Sequence, residues 1–186
     1  MAGNCFLGNT NGRSKEAKMN TKRITVTAAF MALNIIMSSY GVPVPGGHLY
    51  LCDIVICLAA LLLNPMEAFV VGGIGSFIGD MIFYPLPMFV SLVTHGLQAF
   101  VISLISHKVL QSKPKLASAI AVTVGTVIMV TGYTLGKTFV YSTWEYAVMK
   151  MPYEIAQGGI GAIMSMLLCY RWGVQKLYYR VFQEQN

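Results

Sequence analysis

Polar side chains interrupt an otherwise apolar chain at helical spacing. Ser91, His95 and Gln98 recur three or four residues apart, as do Tyr133, Lys137 and Tyr141, and then Glu154, Gln157, Gly158 and Gly161. Residues so spaced share one face of a helix. Imidazole and amide groups donate and accept hydrogen bonds, while phenol and indole rings supply flat apolar walls. Lys137 and Glu154 add one charge of each sign. His48 and Tyr50 lie in a connection between apolar segments, and Trp144 and Tyr146 in another. Such groups, brought together, suit the capture of a small, flat, polar molecule. The candidate ligand-binding residues are His48, Tyr50, His95, Gln98, Tyr133, Lys137, Tyr141, Trp144, Glu154 and Gln157. Plainer roles compete with this one. Lys137 and Glu154 could serve as a structural ion pair, and His95 and Gln98 as hydrogen-bonding links between helices. Tyr141, Trp144 and Tyr146 could belong to an interfacial aromatic belt. Asp53 reads as a cap of the helix it opens.

Catalytic signals are missing. The sequence has no Walker A lysine loop and no HExxH, and Gly73-Ile-Gly-Ser76-Phe lacks GxSxG spacing. The four cysteines, Cys5, Cys52, Cys57 and Cys169, form no CxxC and show no metal spacing. Cys57 and Cys169 read as small buried hydrophobes. No cofactor and no metal are expected, and the buried polar groups point to binding or transport rather than catalysis.

The elements that must position these residues are membrane helices. Only 11% of the 186 residues are charged and 55% are hydrophobic, whereas a soluble domain carries about 25% charged residues. The net charge of +6 does not indicate nucleic acid, because the basic residues gather at the ends of apolar segments. A span needs roughly 20 mostly apolar residues. The expected helices are Thr21 to Tyr40, Leu51 to Leu63, Met66 to Tyr84, Met88 to Ser106, Leu116 to Tyr141 and Pro152 to Tyr170. Gly41 to Gly47, Asn64-Pro65 and Pro85-Leu-Pro87 break the chain between them. A basic loop, His107 to Lys115, and a second loop, Tyr141 to Met151, complete the connections. The expected fold is thus an all-α, integral-membrane six-helix bundle over residues 21–173. A polar, disordered tail (1–20) precedes it, with Met19 as an alternative start, and a basic cytoplasmic tail (174–186) follows.

Charge decides the doubtful second span. With six spans, eleven of the Lys and Arg residues lie on one side and two, Lys137 and Lys150, on the other. Without it the split is seven to six. The positive-inside bias favours six spans with both termini cytoplasmic. His48, Tyr50, Asp53, Asp80, Lys137, Glu145, Lys150 and Glu154 then fall toward the outer side, and ionisable groups at membrane depth mark function.

A resemblance rests on several motifs in order. These are Gly46-Gly-His-Leu-Tyr-Leu-Cys-Asp53, Asn64-Pro65, Val71-Gly-Gly-Ile-Gly-Ser-Phe-Ile-Gly-Asp80 and Pro87 to Gln98. Gly132-Tyr133, Glu145 and Pro152-Tyr-Glu-Ile-Ala-Gln157 follow. Together they resemble the substrate-binding S components of energy-coupling-factor (ECF) transporters, over roughly Lys22 to Tyr170. The nearest group is the riboflavin-type family that also holds proteins assigned to hydroxymethylpyrimidine and pyridoxine uptake. The resemblance implies a prokaryotic plasma-membrane protein that holds a vitamin near the outer face. It implies a transmembrane coupling subunit (EcfT type) and two ATPase subunits as partners, and a subunit that topples in the membrane to release its ligand. Ala28 and Ala32 resemble the family's docking motif for the coupling subunit. His48, Tyr50 and Glu154 match no known ligand contact of the family.

Ala68, Gly72, Gly75 and Gly79 form a small-residue face on the third helix, expected to pack within the subunit. The expected ligand is hydroxymethylpyrimidine or pyridoxine rather than riboflavin. Folate is disfavoured, since Lys137 and Glu154 can neutralise each other. An ion-coupled carrier using Asp80, Lys137 and Glu154 is the competing reading; the missing inverted repeat counts against it. A membrane-embedded enzyme using His95 and Asp80 lacks a nucleophile.

Overall fold

The computed structural model describes residues 10–45, 47–109 and 113–183. Helix α1 spans Thr10–Ser38. It begins inside the segment expected to be a disordered tail, well before Thr21; the rest of that tail, residues 1–9 with Cys5, lies outside the described residues. After α1 the chain turns into a β-hairpin, β1 (Gly41–Val44) and β2 (Gly47–Tyr50), with Val42 opposite Leu49 and Pro43 opposite His48. A loop was expected here. The prolines forbid helix, yet a two-stranded ribbon tolerates them because each strand has a free edge. Gly47 closes the turn at φ 136°, a conformation that favours glycine.

Helix α2 (Cys52–Leu62) is the hub. Ile56, Cys57, Ala59 and Ala60 are wholly buried, because α1, α4 and the sixth helix of the bundle all pack against it. That surround explains why the segment is apolar on every face. Helix α3 (Pro65–Phe83) follows the Asn64-Pro65 turn, where Asn64 and Glu67 form a capping box. Its middle widens into a π turn at Val70–Ile74. Helix α4 is Met88–Lys108 and α5 is Pro114–Tyr141, the latter closing in a second π turn at Lys137–Tyr141. Helix α6 runs through Trp144–Met166 into a π turn, Leu167–Arg171. It starts earlier than expected. Thr143 caps it by accepting the Tyr146 N–H at 3.4 Å, so Pro152 sits inside the helix instead of opening it. Gly173, at φ 74°, separates α6 from α7 (Val174–Gln183).

Among the described residues, the architecture is all-α apart from the hairpin, and three helices, α3, α4 and α5, are long and apolar enough to cross a membrane. Helix α6 carries Lys150, Glu154 and Gln157 in its first half, which lowers its hydropathy. Polar side chains pin the helices to one another. Asn34 of α1 donates to the Val71 carbonyl at 2.8 Å and to Ser76 at 3.2 Å on α3. Ser103 of α4 donates to the Leu63 carbonyl at 2.6 Å. Arg23 and Glu67 pair at 2.9 Å at the end of the bundle remote from the hairpin. The small-residue face of α3 divides at its π turn: Gly72 abuts α4, whereas Gly75 and Gly79 abut Asn34 and Ser38 of α1. Cys57 and Cys169 are buried in the apolar core, as their surroundings in sequence suggested.

Candidate ligand-binding site

A cavity of about 250 Å³ opens at the hairpin end of the bundle. Helices α1 to α6 all contribute to it. Asp80 comes from the last turns of α3 and His95 from the middle of α4. Tyr133, Lys137 and Tyr141 descend one face of α5, and Glu154 and Gln157 one face of α6. His48 and Tyr50 of the hairpin cover it. Eight of the ten candidate residues therefore meet in one place, although nearly all of them lie far apart in sequence.

The remaining two do not line it. Gln98 is wholly buried one layer behind, where its amide joins His95 to Asp53. Trp144 occupies the first turn of α6, is 58% exposed and is not among the residues that line the cavity. Its face of α6 explains this: Tyr146, two residues on and so roughly on the opposite side of the helix, does line the cavity.

Three hydrogen-bonded groups define the chemistry. In the first, Gln98 Nε2 donates to Asp53 Oδ1 at 2.9 Å and Gln157 Nε2 to Oδ2 at 2.5 Å. Gln157 Oε1 accepts the Tyr50 N–H at 2.9 Å, which ties the hairpin to α6. Asp53 is thus no helix cap; among the caps of α2, no side-chain bond is made. Its carboxylate is 1% exposed and is satisfied by two amides from other helices. In the second group, Tyr133 and Ser91 hydroxyls lie 2.6 Å apart and Ser91 donates to Asp80. In the third, Lys137 and Glu154 form a buried ion pair, with the ammonium also 5.2 Å from the centre of the Tyr133 ring. Lys150 donates to the His48 carbonyl at 3.0 Å. His95 and Tyr133 meet edge to face at 5.3 Å.

Sequence reasoning missed Asp80, Lys150, Tyr84 and Tyr153 as lining residues. Asp80 gave a signal, since it lies four residues from Ser76 on a helix otherwise apolar there. Tyr84 and Tyr153 gave none, because tyrosines at helix ends read equally well as interfacial anchors. Cys52, Asp53 and His95 also bring donor atoms within 4.8 Å of one another. No spacing rule shows this, as the residues come from two helices. Both Asp53 oxygens and His95 Nδ1 are already engaged by amides, so the cluster is a hydrogen-bonded one.

Apolar helices enclosing a polar, aromatic-walled cavity at one end mark a multi-pass membrane protein. More specifically, the chain belongs to the ECF-type riboflavin transporter S component family, whose family model matches residues 18–174. It is 28% identical over 154 residues to the thiamine precursor transporter HmpT of Lactococcus lactis subsp. cremoris, covering 80% of this chain and 86% of that one. It is also 29% identical over 131 residues to an uncharacterized protein of Pyrococcus woesei, covering 69% and 86% respectively. The family is one of vitamin-transport components, as the motifs from Gly46 to Gln157 indicated.

Proposed function

We propose that this chain captures a small heteroaromatic vitamin precursor, hydroxymethylpyrimidine in preference to riboflavin, with pyridoxine the closest competitor. The observation that carries the reading is the cavity itself. At about 250 Å³ it is smaller than the roughly 300–1,000 Å³ of sites for drug-sized ligands, and it suits a single substituted ring. Tyr133 and Tyr141 supply apolar walls, and His95 supplies a hydrogen-bonding group for ring nitrogens and hydroxymethyl groups. The name of the Lactococcus relative points to the same class. The test is a binding panel on detergent-purified protein: hydroxymethylpyrimidine, pyridoxine, thiamine, riboflavin, pantothenate and folate. Hydroxymethylpyrimidine is expected to bind tightest, and His95→Ala to weaken it about tenfold to a hundredfold. Tight binding of riboflavin or folate alone would overturn the ligand choice.

The bundle crosses the prokaryotic plasma membrane six times in this reading, as residues 21–173, with both termini and the basic residues after 173 in the cytoplasm. The eleven-to-two distribution of Lys and Arg supports this. The cavity then opens outward. Single cysteines on a cysteine-free background test it: Lys113→Cys should react only from inside and Val42→Cys only from outside. Outside labelling at position 113 would reverse the topology.

The partners in this reading are a transmembrane coupling subunit and two ATPase subunits that supply the energy for uptake. Ala28 and Ala32 are both exposed, and Ala28 lines an apolar groove between α1 and α3 with Ile24, Met31, Met66 and Val70. Small residues on a lipid-facing helix admit close approach by another helix. Ala32→Trp should therefore abolish vitamin uptake by the assembled transporter while the isolated subunit binds its ligand as before. Loss of binding as well would assign Ala32 to the subunit's own packing.

A further inference from the structure

The cavity offers more hydrogen-bond acceptors than the protein satisfies, and the surplus can be traced bond by bond. An ionised carboxylate only accepts. Gln98 and Gln157 both turn their amide nitrogens to Asp53, so each Asp53 oxygen is occupied. With its NH₂ committed there, Gln98 offers its oxygen to His95 Nδ1 at 2.7 Å. Nδ1 then carries a proton, and in the neutral form of the ring Nε2 is left as an acceptor.

The second chain ends the same way. Ser91 has one hydroxyl proton and gives it to Asp80 Oδ2, so it must accept from Tyr133. The phenol proton is thereby used as well. Asp80 Oδ1 meets no donor among the described residues, and no cationic side chain pairs with Asp80 there. The two cavity ammonium groups are engaged elsewhere, Lys137 by Glu154 and Lys150 by the His48 carbonyl. Even Glu154 keeps a buried Oε2 without a hydrogen-bond partner. Asp80 and Glu154 face Lys137 and Lys150 in the cavity wall, but of the two carboxylates Glu154 is the one that is paired with an ammonium. An ionised group lining a membrane-embedded cavity is costly unless a donor or a cation meets it.

We infer that Asp80 discriminates between ligands: its free oxygen receives a hydrogen-donating, protonatable edge, an exocyclic amino group beside a ring nitrogen. Such an amidine-type edge presents two parallel N–H groups once the ring nitrogen is protonated; one meets the free oxygen and the other shares Oδ2, where the Ser91 bond leaves a second lone pair, and charge-assisted hydrogen bonds are about twice as strong as neutral ones. Asp53 cannot do this, because it does not line the cavity and amides from two helices hold its oxygens, and Glu154 already has its own ammonium. The inference rests on the ligand reading above and sharpens it. It selects an aminopyrimidine over pyridoxine, which carries no amino group.

The experiment compares two ligands in two proteins. Full-length wild type and Asp80→Asn are purified in detergent and titrated with 4-amino-5-hydroxymethyl-2-methylpyrimidine. The same titrations are run with its analogue bearing a methyl group in place of the amino group. Wild type is expected to prefer the amino ligand by about tenfold to a hundredfold, and in Asp80→Asn that preference should vanish. The ratio is taken within each protein, so a fraction lost to misfolding cancels. An unchanged ratio in Asp80→Asn would remove the role of Asp80 and leave the ligand reading standing. Failure of wild type to bind either pyrimidine, with binding of another vitamin, would overturn both.

Discussion

Lys137→Met is expected to destabilise the protein by about 3–5 kcal/mol, which lowers Tm by roughly 6–20 °C in a chain of this size. The reason is the charge left behind. Lys137 is 4% exposed and Glu154 7% exposed, and they neutralise each other across α5 and α6. Removing the ammonium strands a buried carboxylate, one of whose oxygens already has no hydrogen-bond partner. Removing both charges should cost much less, because the desolvation of the pair is removed along with its attraction. The double variant Lys137→Met with Glu154→Gln should therefore melt above the single variant. Thermal unfolding of the detergent-solubilised proteins measures this. A double variant no more stable than Lys137→Met would mean that Glu154 is not the group Lys137 neutralises.

Gly72→Val is the second large effect. A Cβ at Gly72 would lie 2.6 Å from the His95 carbonyl oxygen and 2.8 Å from Ala99 Cβ. One obstacle is main chain, so no rotamer change relieves it; α3 and α4 must separate. Overpacking of this kind costs about 1–3 kcal/mol, and more where backbone resists. The displaced segment carries His95 itself, so ligand affinity should fall along with Tm. Gly159 is the matched control, since a Cβ there meets nothing within 4 Å. Gly159→Ala should leave Tm unchanged or raise it, given that alanine favours a helix interior over glycine by about 1 kcal/mol. Equal melting of Gly72→Val and wild type would show that the α3–α4 contact is looser than described.

Much of this was legible in the chain because membrane helices write themselves locally. Charge-free runs mark where lipid or a helix-filled interior surrounds the backbone, and Asn64-Pro65 and Pro85-Leu-Pro87 stop helices whatever packs against them. The polar stripes of α4, α5 and α6 were also visible, since spacing alone puts His95, Tyr133, Lys137, Glu154 and Gln157 on common faces. That these faces converge was an expectation from topology, and in the structure their residues line one cavity.

Other features had no local signal. Periodicity could not distinguish Gln98 from His95, although one is behind the wall and the other in it; one helical turn of depth and the neighbouring Asp53 make the difference. Asp53 itself reads as a cap by position, because only the tertiary fold brings Gln98 and Gln157 to its oxygens. Trp144 has the composition of a binding residue but points outward from the first turn of α6. The hairpin depends on pairing between Val42 and Leu49 and on a tie from Tyr50 to Gln157, a partner 107 residues away in sequence. The sequence alone marked the apolar helical segments and most of the polar residues that line the cavity, but not where α1 and α6 begin, nor Asp80 as one of the lining residues. Which carboxylate is satisfied and which is left facing the cavity depended on bonds between helices, and those exist only once the helices are packed.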